Sequence, residues 1–164
     1  MYDVIVIGSG PGGYVAAIRS AQLGMKTALV EKYATLGGTC LNVGCIPSKA
    51  LLDSSEHFHN ATHTFQKHGI EVENPKVNLK QMMARKDEVI SQTCDGVKFL
   101  MDKNTIDVIH GIGSFLNNTT IEILSEDKKK NKIEGTNIII APGSKPNYFP
   151  GMEPDQKRIR TSPD

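Results

Sequence analysis

The first thirty residues have the pattern of a strand, a helix and a second strand. A run of β-branched residues at 3–7 is typical of a buried parallel strand. Small and apolar side chains then recur at helical spacing over residues 15–23, and Gly24 follows as a C-terminal helix signal. A second apolar run covers residues 27–31. This order predicts a parallel βαβ unit with a right-handed crossover.

Two helices are predicted in the middle of the chain. The first carries both Cys40 and Cys45 and runs towards Phe65. Residues 69–78 have turn-like composition, and apolar positions with helical period return over residues 79–103.

The pattern becomes strand-like after the second of these helices. Residues 106–110 form one apolar run, and residues 120–124 are expected to pair with 132–134 across a polar turn. Three isoleucines at 138–140 predict a further buried strand. We therefore expect an α/β fold in which residues 1–31 and 138–144 share a parallel sheet. Residues 106–134 are expected to add a small, separate antiparallel meander.

The last part of the chain is rich in proline. Five of the eight prolines lie at or after Pro142, which is typical of an extended linker. The sequence thus predicts one domain over residues 1–144 and a linker over 145–164.

Composition and charge exclude several classes of protein. Nineteen basic and 18 acidic residues give a formal charge of +1, which disfavours a nucleic-acid-binding protein. A lysine run at 128–130 is interpreted as a solvated turn. The sequence has no apolar segment of membrane-spanning length, and its three cysteines are too few for a disulfide scaffold. Because the first residues resemble no targeting signal, the expected location is cytoplasmic.

A glycine-rich loop follows the first predicted strand. Gly8, Gly10 and Gly13 have the G-x-G-x-x-G spacing, the loop opens a helix, and Glu31 ends the next strand. The glycines permit a tight turn, close approach of a pyrophosphate, and close packing of helix on strand. Glu31 can accept hydrogen bonds from a ribose. The context favours a Rossmann-like dinucleotide site over a simple glycine turn.

Two cysteines separated by four residues come next. The spacing of Cys40 and Cys45 does not fit a zinc site, which needs closer pairs and further ligands. In an ideal helix their Cα atoms would lie about 8–9 Å apart, whereas a disulfide tolerates about 7 Å. A bridge therefore needs a distorted helix, which Gly44 and Pro47 could provide. Two unconnected thiols remain the alternative, and Cys94 is interpreted as a helix core residue.

Residues 37–52, Gly-Gly-Thr-Cys-Leu-Asn-Val-Gly-Cys-Ile-Pro-Ser-Lys-Ala-Leu-Leu, resemble the redox-active segment of the FAD-dependent pyridine nucleotide-disulfide oxidoreductases. The Ile-Pro-Ser-Lys ending is most similar to that of the dihydrolipoyl dehydrogenases, and mercuric reductases share the Ser-Lys form. The resemblance implies a Rossmann-like FAD-binding domain. Alternatives are a mercuric or glutathione reductase relative, or a non-catalytic nucleotide-binding fragment.

The resemblance also implies roles for individual residues. Cys40 would exchange with a dithiol substrate, while Cys45, one turn deeper and close to Lys49, would face the flavin. The residues implied in binding FAD are Gly8, Gly10, Gly12, Gly13, Glu31, Lys32, Gly38, Thr39, Lys49, Gly113, Gly143 and Ser144. One departure from the family pattern is Pro142, which has no backbone N–H to donate.

For the complete protein, the resemblance implies oxidation of dihydrolipoamide through a Cys40–Cys45 disulfide and FAD to NAD⁺. Its partners would be the lipoyl domains of 2-oxoacid dehydrogenase complexes, and it would be a homodimer. The chain is expected to be inactive alone, because an NAD-binding domain, a second FAD-binding segment and an interface domain would follow it. No metal site is expected, since His57, His59 and His63 lack an acidic third ligand.

Overall fold

The computed structural model describes residues 1–161, which contain six β-strands and four α-helices. The strands are β1 (Tyr2–Ile7), β2 (Thr27–Glu31), β3 (Asp107–His110), β4 (Ile112–Phe115), β5 (Thr120–Leu124) and β6 (Lys130–Ile140). The helices are α1 (Pro11–Gln22), α2 (Gly38–Asn42), α3 (Cys45–His63) and α4 (Leu79–Lys103), with a 3₁₀ turn at Phe65–His68. None of the helices within residues 1–161 combines the length and apolarity that crossing a bilayer requires.

All of these strands belong to one sheet with the order β3-β2-β1-β6-β5-β4. The four strands β3, β2, β1 and β6 are parallel neighbours, whereas β6, β5 and β4 form an antiparallel meander. The expected α/β fold, with a Rossmann-like parallel sheet and a small meander, is confirmed. The hairpin of β5 with the start of β6 and the helix over 79–103 are also as predicted.

Two details of the strand prediction are wrong. Residues 107–110 do not join the meander but extend the parallel sheet, with Ala28 opposite Asp107 and Glu31 opposite His110. The reason is α4, whose length carries the chain back along the sheet so that the next strand runs parallel to β2.

The second error concerns the last strand, which is continuous from residue 130 to 140 rather than divided in two. Its first half pairs with β5 and its second half with β1. Gly135 lies at the junction, where a Cβ would lie 2.7 Å from Ile5 Cδ1, so the absent side chain lets the two strands approach. Ile140, expected to be buried, is 65% exposed at the end of this strand.

The core consists of one apolar layer on each face of the parallel sheet. Alternation along β1 directs Val4 and Val6 to the helical layer and Ile5 to the opposite layer. The helical layer includes Ala17, Leu29, Leu36, Leu41, Cys94, Val97, Met101 and Ile106; the opposite layer includes Ala28, Val30, Ile121 and Ile123. Cys94 is thus the core residue that the sequence predicts. Because β1 and β2 are buried on both faces, the loops at their carboxyl ends start from a rigid frame.

Residues 141–161 form neither helix nor strand. The lack of regular structure agrees with the proline-rich composition of this segment. The division into a domain and a linker at residue 145 stays a prediction. Residues 162–164 of the predicted linker lie outside the described residues.

Candidate dithiol and dinucleotide site

The glycine loop between β1 and α1 is built by two close backbone contacts. Gly8 has φ +97°, and a Cβ on it would lie 2.2 Å from the carbonyl oxygen of Ala141. A Cβ on Gly13 would lie 1.8 Å from the carbonyl oxygen of Gly8. Glycine is therefore required at both positions, because the first turn of α1 packs directly against the end of β1 and the segment after β6.

The other two glycines of the loop face open space. Beyond their chain neighbours, no described atom approaches within 4 Å of where a Cβ of Gly10 or Gly12 would stand. Gly10 is the N-cap of α1; no side chain of residues 1–161 caps this end, and its first turn contains no acid. The first turn therefore places no carboxylate of its own against the partial positive charge at the start of the helix. This arrangement fits a pyrophosphate, which needs both backbone access and a helix N-terminus.

Glu31 lies beside this loop at the end of β2 and is only 5% exposed. Its carboxylate accepts hydrogen bonds from Ser9 N (2.8 Å), Ser9 Oγ (2.5 Å) and Tyr33 N (3.0 Å). Burial by itself raises the pKa of Glu31. The bonds from the Ser9 hydroxyl and the neighbouring backbone N–H groups outweigh burial, so the pKa lies below its ordinary value of 4.5. The carboxylate is thus ionised and fixed in orientation at neutral pH.

The glycine loop also contacts the segment that leads to the cysteines. Gly37 N donates to Ser9 O (3.0 Å) and to Ser9 Oγ (3.2 Å). Gly38 has φ +60°, and a Cβ on it would lie 2.7 Å from Gly10 Cα. The start of α2 is therefore in contact with the loop where a pyrophosphate would fit.

The two cysteines lie on different helices, so the prediction of one helix carrying both is wrong. α2 ends three residues before Cys45, which is the first residue of α3. Between them, a Cβ on Gly44 would lie 3.0 Å from Thr39 O and 3.4 Å from Cys40 Cα. The chain can fold back this closely because Gly44 has no side chain. Pro47 does not distort a helix; it lies in the first turn of α3, where proline is tolerated.

This reversal returns the chain to Cys40 immediately before Cys45 begins α3. Both are free in the structure, and the disulfide between them stays a prediction. The Cys40 thiol has a raised pKa, first because of its hydrogen bond to the Cys45 side chain, then because of burial and the charge of Cys45. The Cys45 backbone N–H and the Lys49 ammonium act in the opposite direction. Cys40 therefore holds its proton more firmly than an isolated thiol does.

The relative depth of the two thiols differs from the expectation. Cys40 is half-buried because α2 packs it against the helical core layer, whereas Cys45 begins α3 at the surface and is exposed. Cys45 is therefore not the deeper thiol within residues 1–161.

The other predicted site residues are more dispersed. Lys32 Nζ lies over the Tyr33 ring, 4.4 Å from its centroid. Gly113 lies in β4, where a Cβ would be 3.3 Å from Val30 Cγ1. Gly143, with φ +75°, and Ser144 follow β6 in the irregular segment. Their roles in binding a cofactor stay predictions.

The histidines do not form a metal centre in the described part of the chain. The rings of His59 and His63 are stacked with centroids 4.5 Å apart. No group of three or more histidine, cysteine, aspartate or glutamate side chains within residues 1–161 has the arrangement that holds a metal ion.

Two residues of this site were not identified from the sequence. Ser9 joins Glu31 to Gly37, and Asn42 joins α2 to the loop before it. Ser9 is bonded to residues 22 and 28 positions away, and Asn42 reaches Cys94 in addition to its neighbours in the chain, so no local spacing signals these contacts.

The chain matches the family described as pyridine nucleotide-disulphide oxidoreductase over residues 2–164. The chain belongs to this family. The expectation of a flavoprotein disulfide oxidoreductase is thereby confirmed at the level of the family.

Several curated members of this pyridine nucleotide-disulphide oxidoreductase family are similar along nearly the whole chain. Dihydrolipoyl dehydrogenase, mitochondrial, of Schizosaccharomyces pombe is 49% identical over 162 residues, covering 98% of the chain and 32% of the relative. The enzyme of the same name in Caenorhabditis elegans is 48% identical, with 98% and 32% covered. Leghemoglobin reductase of Vigna unguiculata is 48% identical, with 98% and 31% covered. The chain thus spans about a third of the length of these relatives.

The names of these relatives overturn the expected location. Several are named mitochondrial, which points to the mitochondrion and makes the cytoplasmic prediction wrong. That prediction rested on the first residues and on the small number of cysteines, and neither feature identifies a particular compartment.

Proposed function

We propose that this chain is the FAD-binding and dithiol-bearing portion of a dihydrolipoyl dehydrogenase. The observation that carries the proposal is the chain reversal at Gly44, which returns the start of α3, and with it Cys45, to Cys40 at the end of a segment that touches the glycine loop. Similarity to enzymes of that name over 98% of the chain supports the assignment. Residues 1–144 would be the domain and 145–164 the linker towards an NAD-binding domain.

The described residues fit FAD. Gly10, Gly12 and the start of α1 would hold the pyrophosphate, and Glu31 would accept hydrogen bonds from the ribose. The remaining contacts with FAD would come from Lys32, Gly38, Thr39, Lys49, Gly113, Gly143 and Ser144. When bound, FAD would supply a two-electron acceptor that passes reducing equivalents to NAD⁺.

The chain's own contribution is thiol–disulfide exchange. A thiolate of dihydrolipoamide attacks the Cys40 sulfur of the disulfide, which forms a mixed disulfide and releases Cys45 as a thiolate. The second dihydrolipoamide thiol then displaces Cys40, so that lipoamide leaves and both cysteines are reduced. The raised pKa of Cys40 supports this order, because a thiol that holds its proton more firmly is the poorer leaving group.

The complete protein would act as a homodimer on the lipoyl domains of 2-oxoacid dehydrogenase complexes. Its location would be mitochondrial, as the names of several relatives indicate. The chain alone would not complete the cycle, since it spans about a third of those relatives.

Stoichiometric exchange tests the proposal directly. The chain is oxidised, freed of oxidant and mixed with dihydrolipoamide, and thiols are counted by alkylation and mass spectrometry. We expect about one lipoamide per chain, with two thiols regained at Cys40 and Cys45. Cys94→Ser should behave like the unaltered chain, whereas Cys40→Ser and Cys45→Ser should yield no stoichiometric lipoamide.

Two results would contradict the proposal. One is loss of exchange in Cys94→Ser, which would implicate another thiol pair. The other is reduction by glutathione as readily as by dihydrolipoamide at equal thiol concentration, which would favour the glutathione reductase alternative.

A further inference from the structure

Asn42 is the last residue of α2 and lies between the two thiols in the chain. Its side chain makes four polar contacts, all to residues outside the glycine loop. It donates to Leu36 O and Gly38 O, and it accepts from Thr35 Oγ1 and Cys94 Sγ.

The amide nitrogen of Asn42 links the end of α2 to the residues at and before its start. Asn42 Nδ2 lies 3.1 Å from Leu36 O and 2.9 Å from Gly38 O. A helix of five residues forms few backbone hydrogen bonds and is not stable by itself. The amide therefore supplies a cross-link that the short backbone cannot.

The acceptor side anchors the same helix to the core. Asn42 Oδ1 lies 2.8 Å from Thr35 Oγ1 and 3.5 Å from the sulfur of Cys94, a buried residue of α4. Cys94 is 52 residues away in the chain. One side chain thus joins the loop before α2, both ends of α2 and the central part of α4.

We propose that Asn42 is a positioning residue that holds Cys40 within reach of Cys45 and so stabilises their disulfide. Cys40 lies two residues before Asn42 on the same short helix, whereas Cys45 belongs to α3. The distance between the thiols therefore depends on how firmly α2 is held. Two thiols kept together have a high effective concentration, which favours their bridge over mixed disulfides with an external thiol.

The inference rests on the proposed function only in taking Cys40 and Cys45 as the redox pair. Its reaction is complete without FAD: the reduced chain and glutathione disulfide give the bridged chain and two molecules of glutathione. Each chain loses two protons and two electrons, and glutathione disulfide gains them.

The test measures the equilibrium constant of that reaction in the full chain. Chains are equilibrated across glutathione redox buffers, quenched by alkylation and analysed by mass spectrometry. Asn42→Ala removes all four contacts. Asn42→Asp keeps the shape and the acceptor but places a carboxylate against the carbonyls of Leu36 and Gly38. Both variants should lower the constant by about fivefold or more.

Asn104→Ala is the matched control. Asn104 donates to Leu100 O at 2.8 Å at the end of α4, so its replacement loses a similar amide bond away from the thiols. It should lower the melting temperature without changing the equilibrium constant. If Asn42→Ala also lowers only the melting temperature, Asn42 is merely structural and the inference is overturned.

A milder variant keeps the inference testable if Asn42→Ala does not fold. Thr35→Val removes one hydroxyl bond to Asn42 Oδ1 and should shift the constant in the same direction by a smaller factor. Unchanged constants in every folded Asn42 and Thr35 variant would overturn the inference, as would a chain that forms no Cys40–Cys45 bridge at any glutathione ratio. A shift seen in a chain that does not oxidise dihydrolipoamide would support the positioning role while contradicting the proposed function.

Discussion

Replacing Ser9 with alanine removes a hydrogen bond to a buried, ionised carboxylate. Ser9 is fully buried, and its hydroxyl lies 2.5 Å from Glu31 Oε2. Bonds to charged groups contribute about 1.5–3 kcal/mol to stability. The backbone N–H groups of Ser9 and Tyr33 still bind the carboxylate in the variant, so we expect a loss of about 2 kcal/mol. For a chain of this size, that corresponds to a fall in Tm of roughly 4–8 °C.

The loss should depend on pH in a defined direction. The pKa of Glu31 in the folded chain lies below its ordinary value of 4.5, so the unfolded state binds its proton first as the pH falls. The stabilisation is therefore fully present above the unfolded value and disappears as the pH falls through the folded value. The difference between the unaltered chain and Ser9→Ala should be largest at neutral pH and shrink as the pH falls below the ordinary value of 4.5.

Urea unfolding followed by circular dichroism at a series of pH values measures this difference. Ser55→Ala is a suitable control, because the Ser55 hydroxyl bonds to Leu51 O on an exposed helix face. Its effect should stay within about 0.5 kcal/mol at every pH. A loss in Ser9→Ala no larger than that of the control, or one that stays constant as the pH is lowered from 7 to well below 4.5, would refute the assigned bond to an ionised Glu31.

Two further predictions concern the glycine loop and its acid. Gly13→Ala should lower the free energy of unfolding by about 3 kcal/mol or more, because its Cβ would overlap the carbonyl oxygen of Gly8. Gly12→Ala, whose Cβ would meet open space, should be neutral or stabilise α1 by about 0.5–1 kcal/mol. If urea unfolding shows equal losses of stability for Gly13→Ala and Gly12→Ala, this packing is contradicted. If FAD binds as proposed, Glu31→Ala should weaken it by about 1–3 kcal/mol in a fluorescence titration, relative to the exposed control Glu56→Ala. Equal affinities would remove Glu31 from the site.

The parts of the fold that the sequence predicts correctly are those with a local signal. The continuous β-branched run of β1 and the long helical period of α4 both depend on neighbouring residues. The turn between β5 and β6 is likewise set by a short polar segment. The glycine loop is predictable because its spacing reflects contacts between adjacent elements.

The remaining features depend on contacts between distant residues. The residue pattern of β3 does not indicate that it pairs with β2. That pairing depends on the crossover through α4, which returns the chain to the edge of the parallel sheet. The break between α2 and α3 depends on how closely Gly44 approaches Cys40 in three dimensions. Ser9 and Asn42 are ordinary polar residues in sequence, and nothing local indicates that Ser9 binds Glu31, 22 residues away, or that Asn42 reaches Cys94, 52 residues away.

The central position of β1 has a consequence for the order in which the chain folds during synthesis. β1 is made before the other described strands, yet β6, its partner on one side, is the last of them to be made; Asp3 O accepts a bond from Asn137 Nδ2, 134 residues away. At ordinary rates of translation, β1 would wait roughly 7–27 s for that partner. During this interval one edge of an apolar strand would be open to pairing with other chains. A nascent chain arrested before residue 130 should therefore depend on chaperones that bind extended apolar segments, and completion of β6 should release it.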